Sequence, residues 1–95
     1  MAASKIKMSK VQVTITDIKG PRPCWQGHKV GDTWVLGRTM PAHFCMTAFN
    51  SIWAGVLFLR HGGEFPWAAE KDVVHASCPD PEVRVQYEIR RLPEE

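Results

Sequence analysis

Two segments of the chain alternate apolar and polar residues, and this alternation limits the fold more than any other feature. The apolar members are Val11, Val13 and Ile15 in the first segment and Val83, Val85, Tyr87 and Ile89 in the second. Successive side chains of a strand point to opposite faces, so both segments predict strands with one buried face. Two shorter segments predict two further strands: 33–36, which follows the turn Val30-Gly31-Asp32, and 72–78, in which Val74, Ala76 and Cys78 share one face.

An apolar segment with helical spacing lies between the second and third predicted strands. Pro41 suits the first turn of a helix, and His61-Gly62-Gly63 is typical of a helix end. Between them Phe44, Ala48, Ile52 and Leu59 recur at helical spacing, and the apolar face is widened by Cys45, Phe49, Trp53, Val56 and Leu57. A face this wide predicts contact with more than one surface, either with the sheet and a loop or with a partner chain.

The order β-β-α-β-β predicts a small α+β domain, in which one central helix packs on an antiparallel sheet of about four strands. With 95 residues the chain is short enough for one core. We assign this domain to residues 10–95 and expect residues 1–9 to form a flexible basic leader.

Composition and charge exclude several functions. The net charge of +2 comes from basic residues that are spread along the chain, which argues against nucleic acid as a partner. The longest apolar run, 52–59, is far shorter than the roughly 20 residues that span a bilayer. The first residues lack the apolar region of a secretory signal, so the expected location is cytoplasmic. There the three cysteines are expected to be ligands, reactive thiols or core residues, and no disulfide framework is expected.

Each cysteine lies where a predicted element begins or ends. Cys24 opens the loop after the first strand, Cys45 lies in the first helical turn, Cys78 ends the third strand, and His28 follows Cys24 by four residues. If the thiols converge, soft thiolate ligands select zinc, copper(I) or an iron–sulfur cluster. Three cysteines and one histidine are a known zinc ligand set. Three thiolates also hold a cluster, with His28 or an exchangeable ligand on the fourth iron, and a proline follows the last cysteine here as in bacterial ferredoxin motifs.

Two other interpretations of the cysteines stay open. Free cysteine is often a small buried apolar residue without any chemical role. Alternatively, the helix N-terminus stabilises Cys45 as a reactive thiolate. His28 or His43 would then be the base, oriented by Asp32 or Asp80. Both aspartates are also typical turn formers.

Four motifs in a fixed order carry a resemblance to a known family. They are Cys24-x-x-Gly27-His28-Lys29-x-Gly31-Asp32, Phe44-Cys45-x-x-Ala48-Phe49, Gly62-Gly63-Glu64-Phe65-Pro66-Trp67 and Cys78-Pro79-Asp80-Pro81. The chain resembles, from about Val11 to Arg91, a family of small three-cysteine proteins that is widespread in anaerobic bacteria and archaea and has no established activity. The resemblance implies that Cys24, Cys45, Cys78 and His28 form one shared site, whereas His43 is a feature of this chain alone.

These observations predict a small metal-binding or iron–sulfur protein that acts in electron transfer or as an accessory subunit of a larger redox enzyme. Its cofactor would be an iron–sulfur cluster or zinc, and we do not expect it to be an enzyme on its own. A protein partner or a second copy would bind the apolar helix face. The alternatives are an interaction subunit without metal and, third, a thiol-dependent enzyme.

Overall fold

The computed structural model describes residues 8–94. It contains β1 (Ser9–Lys19), β2 (Thr33–Leu36), α1 (Met46–Arg60), β3 (Val73–Ser77) and β4 (Arg84–Glu94). The four strands form one antiparallel sheet in the order β2-β1-β4-β3. The predicted α+β class and the order β-β-α-β-β are therefore confirmed. Most of the predicted leader, residues 1–7, lies outside the described residues, and its last residue, Ser9, begins β1.

The two central strands, β1 and β4, pair over almost their whole length. Val13 faces Ile89, and Lys19 at the end of β1 faces Arg84 at the start of β4. The register shifts between Ile15 and Asp17. Such a bulge adds one residue to one strand, so Ile18 packs against the core although it lies three residues after Ile15. This is why β1 continues beyond the alternating segment that predicts it.

Helix α1 begins later than its sequence predicts. Pro41 suits a first helical turn, but His43 has a φ of 65°, which no α-helical residue adopts, and the first helical residue is Met46. Cys45 is consequently the N-cap residue and not part of the first turn. The predicted end is confirmed, since the helix ends at Arg60 and Gly62 has a φ of 85°.

The core lies between α1 and one face of the sheet. From the helix it takes Ala48, Ile52, Val56 and Leu59, and from the two central strands it takes Val11, Val13, Ile15, Val85, Tyr87 and Ile89. These are the residues that the alternating and helical patterns place on the inner faces. Burying each large aliphatic side chain contributes about 1.5–3 kcal/mol, which makes this layer the main stabilising feature. No helix within residues 8–94 has the length and apolar character needed to cross a membrane.

The loops that carry Cys24 and Cys78 meet at one end of the sheet. Because Lys19 pairs with Arg84, the end of β1 lies beside the start of β4, and the pairing of Ser77 with Gln86 brings the end of β3 to the same edge. The two loops touch at Gly20. A Cβ at this glycine would overlap the carbonyl oxygen of Glu82 and lie 3.0 Å from the Cα of Val83.

Candidate functional site

The three cysteines line one cavity of about 150 Å³. Each is partly buried, and none forms a disulfide. The cavity is completed by Trp25, Gln26, Thr47, Asp80, Val83 and Val85. The structure thus brings together the three cysteines that the sequence analysis selected because each lies at the beginning or end of a predicted element. Their role as ligands stays a prediction.

The Cys78 thiol is fixed by the turn that follows it. The backbone N–H of Asp80 donates a hydrogen bond to Cys78 Sγ at 3.4 Å. The Asp80 carboxylate accepts hydrogen bonds from the backbone N–H groups of Glu82, at 2.8 Å, and Val83, at 3.2 Å. These two bonds, with a smaller contribution from the positive charge of Arg22, hold the pKa of Asp80 below its ordinary value. Asp80 is therefore the turn former that its sequence context predicts.

Arg22 connects the loop of Cys24 to the turn of Cys78. Its Nη1 donates to Glu82 Oε1 at 2.7 Å, and its Nη2 lies 3.9 Å from Asp80 Oδ2. The same guanidinium lies over the ring of Trp25, 4.7 Å from the ring centroid. One side chain thus joins both loops that supply cysteines and fixes the aromatic residue that covers part of the cavity.

Tyr87 carries a hydroxyl group that interacts electrostatically with all three thiols. Its side chain is buried in β4. Burial raises the pKa of the Tyr87 phenol, and electrostatic interaction with Cys45, Cys78 and Cys24 raises it further. All three cysteines therefore lie within electrostatic range of one phenol, which stays protonated and able to donate a hydrogen bond.

His28, the predicted fourth member of the site, does not line the cavity. Its side chain is 11 % exposed, and its Nδ1 lies 4.0 Å from Asp32 Oδ2. The imidazole packs edge-on against Trp34 at 4.9 Å, and Trp34 packs in the same way against Phe44, the residue before Cys45. Its Nε2 is buried and has no hydrogen-bond partner in the part of the chain that the structure describes. His28 is thus connected to the cysteines through two aromatic rings.

The two histidines predicted as a base for a nucleophilic Cys45 do not lie in the cavity of that thiol. Cys45 lies at the helix N-cap, and its side chain makes no capping hydrogen bond. Neither His28 nor His43 lines the cavity, and His43 is exposed. Asp32 accepts a hydrogen bond from the backbone N–H of Lys29 at 2.9 Å, as a turn former does. No candidate base therefore shares the cavity with this thiol among the residues described.

The donor chemistry of the cavity suits a soft metal, but the ligands are not yet arranged around one point. Within residues 8–94, no three His, Cys, Asp or Glu side chains are positioned to hold a metal ion. The three thiols that line the cavity are nevertheless the type of donor that zinc, copper(I) and iron–sulfur clusters prefer.

Sequence reasoning missed two residues of this site. Tyr87 is one of the inward-facing residues of β4, which the alternating pattern predicts to be core residues. The only sequence signal of a further role is that Tyr87 alone among them carries a hydroxyl group. Arg22 lies between two prolines in a loop, where a charged side chain usually faces solvent. Its role depends on contacts with residues sixty positions away, which no local pattern encodes.

The fold and the cavity define a small antiparallel α+β domain with three thiols at one end of its sheet. No protein-family profile, curated protein or solved structure matches the chain. The resemblance to the three-cysteine family therefore stays a prediction.

Proposed function

We propose that the chain is a small protein that binds an iron–sulfur cluster or zinc through Cys24, Cys45 and Cys78. The observation that carries this proposal is the single cavity that all three thiols line. His28 lies outside this cavity, so the proposal rests on the three cysteines, and the fourth ligand position is left to an exchangeable group.

Two features of the cavity suit sulfur ligands of a metal centre. The N–H of Asp80 donates to Cys78 Sγ, and such bonds stabilise a thiolate and tune the potential of an iron–sulfur centre. Cys45 lies at the N-terminus of α1, where the positive end of the helix dipole also favours negative charge.

Cysteine thiolates bind zinc and iron–sulfur clusters alike, so the three cysteines suit either cofactor. An iron–sulfur cluster accepts three cysteines with an exchangeable ligand on its fourth iron. When bound, it would supply one-electron transfer, which suits the predicted role in electron transfer or as an accessory redox subunit in a reducing, cytoplasmic environment.

The test is anaerobic purification followed by iron, zinc and acid-labile sulfide analysis and a visible absorption spectrum. We expect a stoichiometric metal content, and we expect it to fall when Cys24, Cys45 or Cys78 is replaced singly by alanine. His75→Ala is the matched control, because His75 is exposed on β3. His28→Ala tests the predicted fourth ligand separately. Circular dichroism verifies that each variant is folded.

A folded, colourless protein without metal, in which three thiols remain free after anaerobic reconstitution, would refute the proposal. Equal metal loss in His75→Ala would also contradict it, since that variant leaves the cavity untouched.

A second candidate is an interaction subunit without metal. It is favoured by large apolar side chains that remain exposed, among them Trp25 at 76 %, Met46 at 85 % and Trp67 at 79 %. Such side chains are common at protein interfaces. This candidate requires that the triple Cys→Ala variant keeps its fold and has the same oligomeric state as the wild-type chain in light scattering. It fails if the variant unfolds, or if the wild-type chain and the variant are both monomers at high concentration.

A further inference from the structure

Strand β3 forms one edge of the sheet, with β4 as its neighbour on the inner side. Just beyond its two ends, the N–H of Cys78 donates to the carbonyl oxygen of Val85, and the N–H of Arg91 donates to the carbonyl oxygen of Asp72. Residues that bond across an antiparallel pair alternate with residues that do not. The even-numbered residues of β3 therefore bond to β4, and the odd-numbered residues, such as His75, direct their N–H and C=O groups to the open edge.

The open part of this edge is limited at both ends. The N–H of Val73 donates to the carbonyl oxygen of Glu70 at 3.4 Å, and Pro79, the next odd-numbered residue after β3, has no N–H. His75 and Ser77 lie between these two limits. Their outward backbone groups form no hydrogen bond with any residue in the range 8–94. The edge thus presents a short row of free donors and acceptors.

Strand β3 also lacks the features that usually prevent an edge from pairing. Natural edge strands are commonly protected by proline, by lysine or other charged residues, or by a bulge. The sequence Val73–Ser77 contains no proline and no charged residue, and its pairing with β4 runs without a register shift. This edge is therefore open to another strand.

An apolar cavity of about 500 Å³ lies beside the first half of β3. Its walls include Val73, Val74 and His75 of the strand and Phe65, Trp67, Ala68 and Ala69 of the preceding segment. The ring of Phe65 stacks on that of Phe58 in α1 at 4.3 Å and lies 4.9 Å from the ring of Trp67. The helix thus supports an aromatic wall, yet most of the Trp67 side chain is exposed. A strand bound at the edge would lie next to this apolar surface.

We propose that the β3 edge pairs with the β3 edge of a second copy of this chain, antiparallel and about a two-fold axis at Ala76. In this register His75 of each copy lies opposite Ser77 of the other, and each donates its N–H to the carbonyl oxygen of the other. Ala76 meets its own equivalent at a non-hydrogen-bonded position, where Cα atoms approach to about 4.5 Å and a small side chain fits. The two four-stranded sheets become one continuous sheet.

The edge is complementary to itself, which favours a second copy over an unrelated strand. In the proposed register Val73 of one copy lies opposite Pro79 of the other. The N–H that is already bonded and the residue that has no N–H therefore coincide, and the pairing stops where neither copy has a donor left. Because β3 carries no charged side chain, no like charges meet across the axis. A two-fold interface requires such self-complementarity. The proposal does not rest on the metal site.

The test is sedimentation velocity of the full chain from about 10 µM to 1 mM, the range in which a small interface associates. We expect a reversible monomer–dimer equilibrium. His75→Pro removes the outward N–H without breaking a bond to β4, and edge strands tolerate proline at such positions. This variant should weaken association by about tenfold or more. Val35→Pro is the matched control on the opposite edge, since the bond from the Ile15 N–H to the Asp32 carbonyl oxygen directs Val35 outward in β2.

A pair of double variants tests the register without proline. His75→Glu with Ser77→Lys places opposite charges across the axis and should strengthen association about tenfold, whereas His75→Lys with Ser77→Lys places like charges there and should weaken it by a similar factor. Amide exchange measured by NMR locates the contact, because exchange at His75 and Ser77 should slow as the protein concentration rises, while exchange at Val35 should not. Circular dichroism verifies that each variant is folded.

A chain that remains a monomer at every concentration overturns the proposal, and so does a dimer that Val35→Pro weakens as much as His75→Pro. The proposal also fails if exchange at His75 and Ser77 is independent of concentration, since the copies then meet elsewhere. Equal association of the two double variants contradicts the register. Metal content is measured separately, so a monomer that still binds metal contradicts this proposal alone.

Discussion

Replacement of Gly20 by alanine should destabilise the chain strongly, and replacement of Gly27 should not. Both glycines lie in the loop between β1 and β2, and both have a positive φ, 141° at Gly20 and 78° at Gly27. They differ in their surroundings. An added Cβ at Gly20 overlaps the carbonyl oxygen of Glu82, whereas an added Cβ at Gly27 has no heavy atom within 4 Å among the described residues. The pair therefore separates steric overlap from backbone strain.

The magnitude follows from these two contributions. The conformation at Gly20 costs a residue with a side chain about 1–3 kcal/mol, and relieving the overlap adds about 1–3 kcal/mol, as overpacking does elsewhere. At Gly27 the left-handed conformation costs about 1–2 kcal/mol, and alanine returns about 0.4–1 kcal/mol by restricting the unfolded chain. We expect Gly20→Ala to lower the free energy of unfolding by about 3–4 kcal/mol and Gly27→Ala by about 1 kcal/mol or less.

Urea denaturation followed by tryptophan fluorescence measures this difference. With a slope of about 1–3 kcal/mol per molar urea, the two midpoints should differ by roughly 1–2 M. Because the Glu82 carbonyl belongs to the turn that positions Cys78, Gly20→Ala should also speed the reaction of Cys78 with a thiol reagent. Equal midpoints for the two variants, or a lower midpoint for Gly27→Ala, would refute the close approach of the two loops.

Three further results follow from the same structure. The raised pKa of Tyr87 means that its contribution to stability is complete below the ordinary value of about 10 and is lost as the pH rises above it, by about 1.4 kcal/mol per pH unit. Tyr87→Phe should remove this dependence, and the tyrosinate absorbance of the only tyrosine should rise only as the wild-type chain unfolds. Arg22→Gln should cost about 1 kcal/mol, because it removes two partly exposed ion pairs, with Glu82 and Asp80, and one cation–π contact. It should also speed alkylation of Cys24 and Cys78, while Arg84→Gln, at an exposed position, leaves both measurements unchanged. Ile52→Ala, at a fully buried position, should cost about 2–5 kcal/mol in chemical denaturation, whereas Asn50→Ala, at an exposed position of the same helix, should change stability by less than about 0.5 kcal/mol.

The sequence predicts those strands and helices in which burial of one face makes apolar residues recur at regular spacing. Val11, Val13 and Ile15 show that period, and they are buried in β1. The prediction is incomplete where a local conformation interrupts the period. A bulge after Ile15 breaks the alternation, so the sequence does not predict the second half of β1. His43 has a positive φ, so α1 begins after it although Pro41 suits a helix start.

The candidate site follows from the sequence only as far as topology determines it. In an antiparallel sheet the end of β1 and the end of β3 both lie beside the start of β4, so residues just beyond these ends are neighbours. This places Cys24 and Cys78 together. The position of His28 depends on the path of a loop of thirteen residues, 20–32, whose turns at Gly27 and Gly31 no periodic pattern encodes. That loop directs the imidazole to Trp34 and away from the thiols.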